Sequence, residues 1–110
     1  MDDCIFCKIV RGEVKAKFEY EDNQIVAFAD IKPKAPIHIL IIPRKHIESI
    51  KTLNDEEKKL VGEMVWVAKE IAADKNLEGY KLIFNVGILG GQIINHLHLH
   101  LLGGWKKAQE

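Results

Sequence analysis

Apolar and polar positions follow two periods along this chain. Short stretches alternate with period two, and one long stretch repeats with the 3.6-residue period of a helix. Lys17 to Tyr20 and Gln24 to Ala29 read as two short strands, joined by the turn-forming Glu21-Asp22-Asn23 into a hairpin. Ile37 to Ile42 is a β-branched run bounded by Pro36 and Pro43, which suits a central strand with a proline at each boundary. Asn54 with Glu57 three residues later forms a capping-box pattern, so the long helix starts near Asn54. Its apolar stripe is Leu60, Val61, Met64, Val65, Ala68, Ile71 and Ala72, and it ends before Asn76 and Gly79. Trp66 falls outside that stripe, among charged residues, which is where a partner surface would place an indole. Lys81 to Val86 and His96 to Leu102 complete a set of about five strands, separated by a loop containing Gly87, Gly90 and Gly91. One long helix against a largely antiparallel sheet gives an α+β class.

The chain has 110 residues, so residues 1–110 read as a single domain. Apolar residues make up 47% and charged residues 29%, a globular balance. Sixteen basic residues cancel sixteen acidic ones, so there is no positive field to hold a nucleic acid, and no nucleic-acid partner is expected. The longest apolar run, around Ile37 to Pro43, falls far short of the roughly 20 residues that span a bilayer, and Met1-Asp2-Asp3 does not open a secretory signal. The expected location is cytoplasmic, away from a membrane. The only cysteines, Cys4 and Cys7, are spaced like half of a tetrahedral zinc site rather than like a structural disulfide.

Three of the five histidines lie in His96-Leu97-His98-Leu99-His100-Leu101-Leu102. On a strand this puts the imidazoles on one face and the leucines on the other, with successive rings about 6.6 Å apart. The leucine face packs onto the helix, and the imidazole face needs something polar. Either a His-x-His metal site or a phosphate site with imidazole nucleophile and donors satisfies it. His38, inside the apolar run, is a fourth imidazole for the same cleft, and Asn85 and Gln92 bring neutral amide donors to that edge. Neutral donors beside imidazoles favour a phosphate diester or anhydride.

His96 to Leu102 resembles the alternating signature of the histidine-triad (HIT) family, in particular its nucleotide-binding branch. The likeness runs along nearly the whole chain, through Cys4 to Glu13, Phe28 to Pro33, Ala35 to His38, Ile42 to His46, Asn85 to Gly87 and Gly90 to Gln92. It implies a HIT-like fold with a short N-terminal helix, and a hydrolase cleaving nucleoside 5′-phosphoramidates or related adducts. His98 would attack the α-phosphorus to give a nucleotidyl-histidine, His38 and His100 would donate to phosphate oxygens, and Asn85 and Gln92 would position them. Asp30 would bind the ribose, with Phe6, Ile9, Phe28, Ile31 and Leu40 walling a purine pocket. By the same likeness, His46 and His96 join Cys4 and Cys7 in a structural zinc site, no organic cofactor is needed, and a homodimer forms through the helix and the neighbouring strand. A dinucleoside polyphosphate hydrolase and a nucleotide- or partner-binding module with weak turnover are the alternatives. The chain departs from the family at Ile93, where a serine usually follows Gly-Gly-Gln and donates to the leaving group. Alternation places Asn95 on the face of Ile93 and Leu97, opposite the histidines.

Overall fold

A computed structural model describes residues 3–110. A short helix α1 (Ile5–Val10) precedes the strands β1 (Phe18–Glu21), β2 (Ile25–Ala29) and β3 (Ile37–Pro43). The long helix α2 (Lys58–Asp74) then leads to β4 (Tyr80–Ile83) and β5 (Leu99–Gly103). The strands form one antiparallel sheet in the order β1-β2-β3-β5-β4. The first hairpin turns where expected, because Asp22 Oδ1 accepts the amides of Gln24 and Ile25 at 2.7 and 2.8 Å. At the helix entrance Asn54 accepts from the Glu57 amide at 3.0 Å and Glu57 accepts from the Asn54 amide at 3.1 Å. At its exit Asn76 takes a left-handed φ of 56°. The amides of Asn76 and Leu77 then reach back to the carbonyls of Ala73 and Ala72, which closes the last turn.

Strand alternation divides the interior into two layers. Ile25, Ala27, Ile39, Ile41, Leu97, Leu99 and Leu101 pack against Met64, Val67, Ala68, Ile71 and Ala72 of α2. On the opposite face Val26, Phe28, Leu40 and Ile42 pack against Phe6 and Ile9 of α1. The helix stripe differs from the sequence reading at two positions. Val67 is buried, whereas Val65 is 38% exposed. At about 100° per residue, Val67 falls back beside Met64 and Val65 rotates out of the face.

Both late strands are shorter than expected. β4 ends at Ile83 rather than Val86, and β5 begins at Leu99 rather than His96. Ahead of β5 the chain bonds to the segment that follows β3 instead of joining a ladder. The Leu97 amide donates to the Ile47 carbonyl at 2.6 Å, and the His96 ring bonds to the Pro43 carbonyl. Residues 94–96 bend, so the period-two argument for Asn95 does not extend there; Asn95 is exposed while Leu97 is buried.

Met64 is fully buried at the centre of the helix layer. Met64→Ala should destabilise the fold by about 2 to 5 kcal/mol through lost burial and a residual cavity. Glu63→Ala, one residue away and exposed, should stay within about 0.5 kcal/mol. Urea unfolding midpoints of the two variants check this.

Candidate active site and metal centre

The imidazole face of β5 lies over the α1 side of the sheet. β3 pairs with β5 so that Leu40 stands opposite His100 and His38 opposite Leu102. His38, His96 and His98 are buried, and His100 is half-buried. Phe6 of α1 meets the His96 and His98 rings edge-on, with centroids 5.7 and 5.2 Å away. Burial pushes the pKa of all four histidines down, to about 4 for His96 and His100. The rings are therefore neutral at pH 7, and each carries one N–H and one lone pair.

Backbone groups decide which nitrogen holds the proton, since a carbonyl can only accept and an amide can only donate. His98 Nδ1 lies 2.7 Å from the His96 carbonyl, so Nδ1 carries hydrogen and Nε2 carries the lone pair. Among the described residues no wholly buried side-chain nitrogen or oxygen lacks a partner. His98 Nε2 makes no hydrogen bond, so it is open to solvent. On His38 the Lys34 amide donates to Nδ1 at 3.0 Å, which leaves the hydrogen on Nε2. That hydrogen is donated to His100 Nδ1 at 2.9 Å, with Asp30 Oδ2 at 3.5 Å from the same nitrogen. His100 must then hold its hydrogen on Nε2. The His98 and His100 rings are 4.9 Å apart, so a lone pair able to act as nucleophile and an N–H donor stand side by side.

On His96, Nε2 donates to the Pro43 carbonyl at 2.8 Å, so the Nδ1 lone pair points towards the thiols. Cys4 Sγ is 3.4 Å and Cys7 Sγ 3.6 Å from that Nδ1, and His46 Nδ1 is 3.2 Å from Cys7 Sγ. All four ligand atoms lie within 4.8 Å of one another. A tetrahedron with arms of about 2.0 to 2.3 Å has edges near 3.5 Å, so these residues fit a metal ion. Helix α1 presents the two thiols together, because Cys4 caps it by accepting the Cys7 amide at 3.3 Å. Without a cation, burial and the neighbouring Cys4 push the Cys7 thiol up to about 11; a dication would supply the charge that a buried thiolate needs. Asp30, His38 and His100 are equally close together, but the Lys34 amide forces the proton onto the nitrogen of His38 that a metal would need. That group is built to carry a proton.

The neutral amides have local duties. Gln92 is buried, its Oε1 accepting the Gly87 amide at 3.0 Å and its Nε2 donating to the Glu48 and Ile94 carbonyls at 2.7 and 3.0 Å. Asn85 Nδ2 donates to the Gly90 carbonyl at 3.0 Å. Both therefore shape the glycine loop. Of the residues expected to wall a purine pocket, Phe6, Ile9, Phe28 and Leu40 lie in the α1-side cluster. Ile31 is 92% exposed and stands outside it. Asp30 follows β2, its Oδ1 accepting the Lys32 amide at 2.9 Å. A surface groove of about 650 Å³ runs between Arg11, Lys15, Lys17, Glu21 and Arg44 and is lined by no histidine. Sequence reasoning missed the Lys34 amide and the Pro43 carbonyl, and no side-chain pattern could have signalled either.

His100 links this network to stability. Its pKa is about 4 when folded and 6.5 ordinarily, so between those values the unfolded chain binds a proton that the folded chain refuses. Stability should be level above pH 6.5 and should fall as the pH drops from 6.5 towards 4. The urea midpoint measured at pH 7.5, 6 and 5 should show the decline, and His100→Gln should show a shallower one.

The family model described as "Scavenger mRNA decapping enzyme C-term binding" matches residues 3–109. An uncharacterized HIT-like protein of Buchnera aphidicola is 48% identical over 107 residues, spanning 96% of this chain and 94% of that protein. Protein HitA of Neisseria gonorrhoeae is 44% identical over 104 residues, spanning 94% of this chain and 97% of its own length. A HIT family hydrolase from Legionella pneumophila superposes with a TM-score of 0.90 at 48% identity, covering 94% of this chain and 95% of that one. A histidine triad protein from Clostridium difficile superposes with a TM-score of 0.93 at 41% identity, covering 100% and 97%. With these likenesses spanning nearly its whole length, and with its triad on β5 and the segment leading into it, the chain belongs to the histidine-triad family and has the fold of its hydrolases.

Proposed function

We propose that this chain is a cytosolic nucleotide-binding hydrolase that cleaves nucleoside 5′-phosphoramidates or related nucleotide adducts through a nucleotidyl-histidine intermediate. The observation that carries this reading is the tautomer of His98, whose Nδ1–H is committed to the His96 carbonyl and whose Nε2 lone pair is open to solvent. Nε2 attacks the α-phosphorus, the bond from phosphorus to the leaving amine breaks, and the amine departs as the neutral amine after taking one proton from solvent. His100 Nε2–H, held by the His38 relay, donates to the phosphate oxygens as charge develops. Water then attacks phosphorus and gives up one proton to solvent, which balances the one taken by the amine, the bond to Nε2 breaks, and His98 regains its lone pair as the nucleoside monophosphate leaves. Asp30 takes the ribose hydroxyls of a purine nucleotide, and the base lies against the apolar cluster of Phe6, Ile9, Phe28 and Leu40. Asn85 and Gln92 position the phosphate by shaping the glycine loop.

Cys4, Cys7, His46 and His96 are proposed to hold zinc. When bound, the metal would be closed by four protein ligands and would tie α1 to the segment leading into β5. Copies pair through α2 and the edge strand β4, where Trp66 is 60% exposed and Tyr80 and Leu82 are also uncovered.

His98→Ala should lower kcat on adenosine 5′-phosphoramidate by at least about a thousandfold and leave the Kd for AMP within about tenfold, since it removes covalent chemistry and little binding surface. Near-normal turnover in this variant would overturn the nucleophile assignment. If the native protein instead turns over dinucleoside polyphosphates and not phosphoramidates, the leaving-group class is wrong. Protein purified without chelators should carry one equivalent of zinc, and Cys4→Ser together with His46→Ala should remove it. Metal analysis finding no zinc in the native protein would refute the site.

A further inference from the structure

The loop between β4 and β5 carries three apolar side chains standing in solvent: Ile88 is 86%, Leu89 102% and Ile93 87% exposed. A single exposed aliphatic residue needs no explanation, but three within six positions of one loop call for one. Looseness does not account for their exposure. The amides of Gly90, Gly91 and Gln92 bond back to the carbonyls of Gly87 and Ile88 at 3.0 to 3.1 Å. Gln92 and Asn85 clamp the loop from within. Gly87 and Gly91 take φ of 71° and 88°, a conformation that side chains other than glycine resist. The backbone is satisfied and fixed, and it holds the three side chains outward.

The topology sets this loop across the reaction centre from the proposed nucleoside site. β4 runs beside β5 with Ile83 opposite His100, so the chain leaving β4 passes alongside His98. It returns through Ile94, which packs against the Phe6 cluster before His96. Asp30 and Phe28 lie on the other side, at the end of β2 beyond β3. A nucleotide with its ribose at Asp30 and its phosphorus at His98 therefore directs its remaining substituent towards the loop. From Val86 to Asn95 the chain has no charged residue, so a carboxylate or ammonium in that substituent would meet no partner on the loop. The nearest cation to Gly87 is Lys51, whose Cδ and Nζ would lie 3.9 and 4.0 Å from a Cβ there.

We infer that Ile88, Leu89 and Ile93 form a specificity rim that selects nucleotide adducts whose leaving group has an aliphatic or aromatic body. This rests on the proposed hydrolase reading and goes beyond it by naming the leaving-group class. Contact with a partly open apolar surface gives about tenfold discrimination, the lower end of what hydrophobic contacts supply.

The test compares kcat/KM for three adenosine 5′-phosphoramidates: the unsubstituted one, one of phenethylamine, and one of an amine of matched basicity bearing a carboxylate. The expected result is about a tenfold or greater preference for the phenethyl compound over the carboxylate one. In the Ile88→Ser/Leu89→Ser double variant that preference should shrink to within about twofold, while the unsubstituted compound is cleaved within about threefold of the native rate. No preference in the native protein, or an unchanged preference in the double variant, overturns the inference. Turnover of none of the three compounds would sink the hydrolase reading itself. The rim is then judged by equilibrium binding, where equal affinity for AMP and for the phenethyl adduct overturns it. If the double variant keeps the preference but changes the sedimentation of the native protein, the rim covers a second copy of the chain and the inference falls.

Discussion

The site depends on three backbone groups that hydrogen-bond to imidazoles: the Pro43 and His96 carbonyls and the Lys34 amide. A buried neutral imidazole has two tautomers of similar energy, and its chemistry differs completely between them. The Pro43 carbonyl turns the Nδ1 lone pair of His96 towards the thiols. The His96 carbonyl leaves the Nε2 lone pair of His98 open to solvent. The Lys34 amide makes His38 a donor to His100. His96 and His98, two residues apart ahead of β5, thereby face two sites, one suited to a metal and one to a phosphate, although they share residue type and burial.

Those backbone groups are available because of how the strands end. Pro43 closes β3, and the segment ahead of β5 bonds beside it without entering the ladder. Had pairing run on to His96, as simple alternation suggests, ladder bonds would compete for the amides and carbonyls there. Shortening β5 frees the His96 carbonyl for the His98 ring and lets the Leu97 amide find Ile47. The buried leucines keep their place against α2 throughout. The apolar layer thus fixes the direction of the chain, and the broken ladder supplies the hydrogen bonds that set the imidazole protons.

Much of this was legible in the residues. The hairpin, the central run at Ile37, the capping box at Asn54 and the leucine face each follow from local chemistry that agrees with the tertiary structure. The gathering of His38 with the triad was also foreseeable, because an imidazole inside an apolar strand needs a polar partner. What could not be read was tertiary and main-chain in nature. Strand ends depend on which neighbour captures a backbone amide, and the placement of Val67 rather than Val65 depends on a rotation that apolar character alone does not fix. The exposure of Ile31 was hidden for a similar reason. Its apolar side chain sits on a loop beyond Asp30, where no element packs over it.

Gln92 shows most clearly how a residue can serve the site without facing a ligand. An amide beside imidazoles invites a direct role towards phosphate, yet both ends of this one are spent on backbone, on Gly87, Glu48 and Ile94. Turning it outwards would strand the Gly87 amide and two carbonyls in a buried setting, at a cost of about 1 to 3 kcal/mol for each group left unpaired. The side chain therefore works as a positioning residue. It fixes the path of the glycine loop, and that path determines which atoms of Gly87 to Ile93 border the cleft. With the amide occupied inwards, the loop presents its apolar side chains outwards, and the chemistry at that edge is set by residues that carry neither a charge nor a proton.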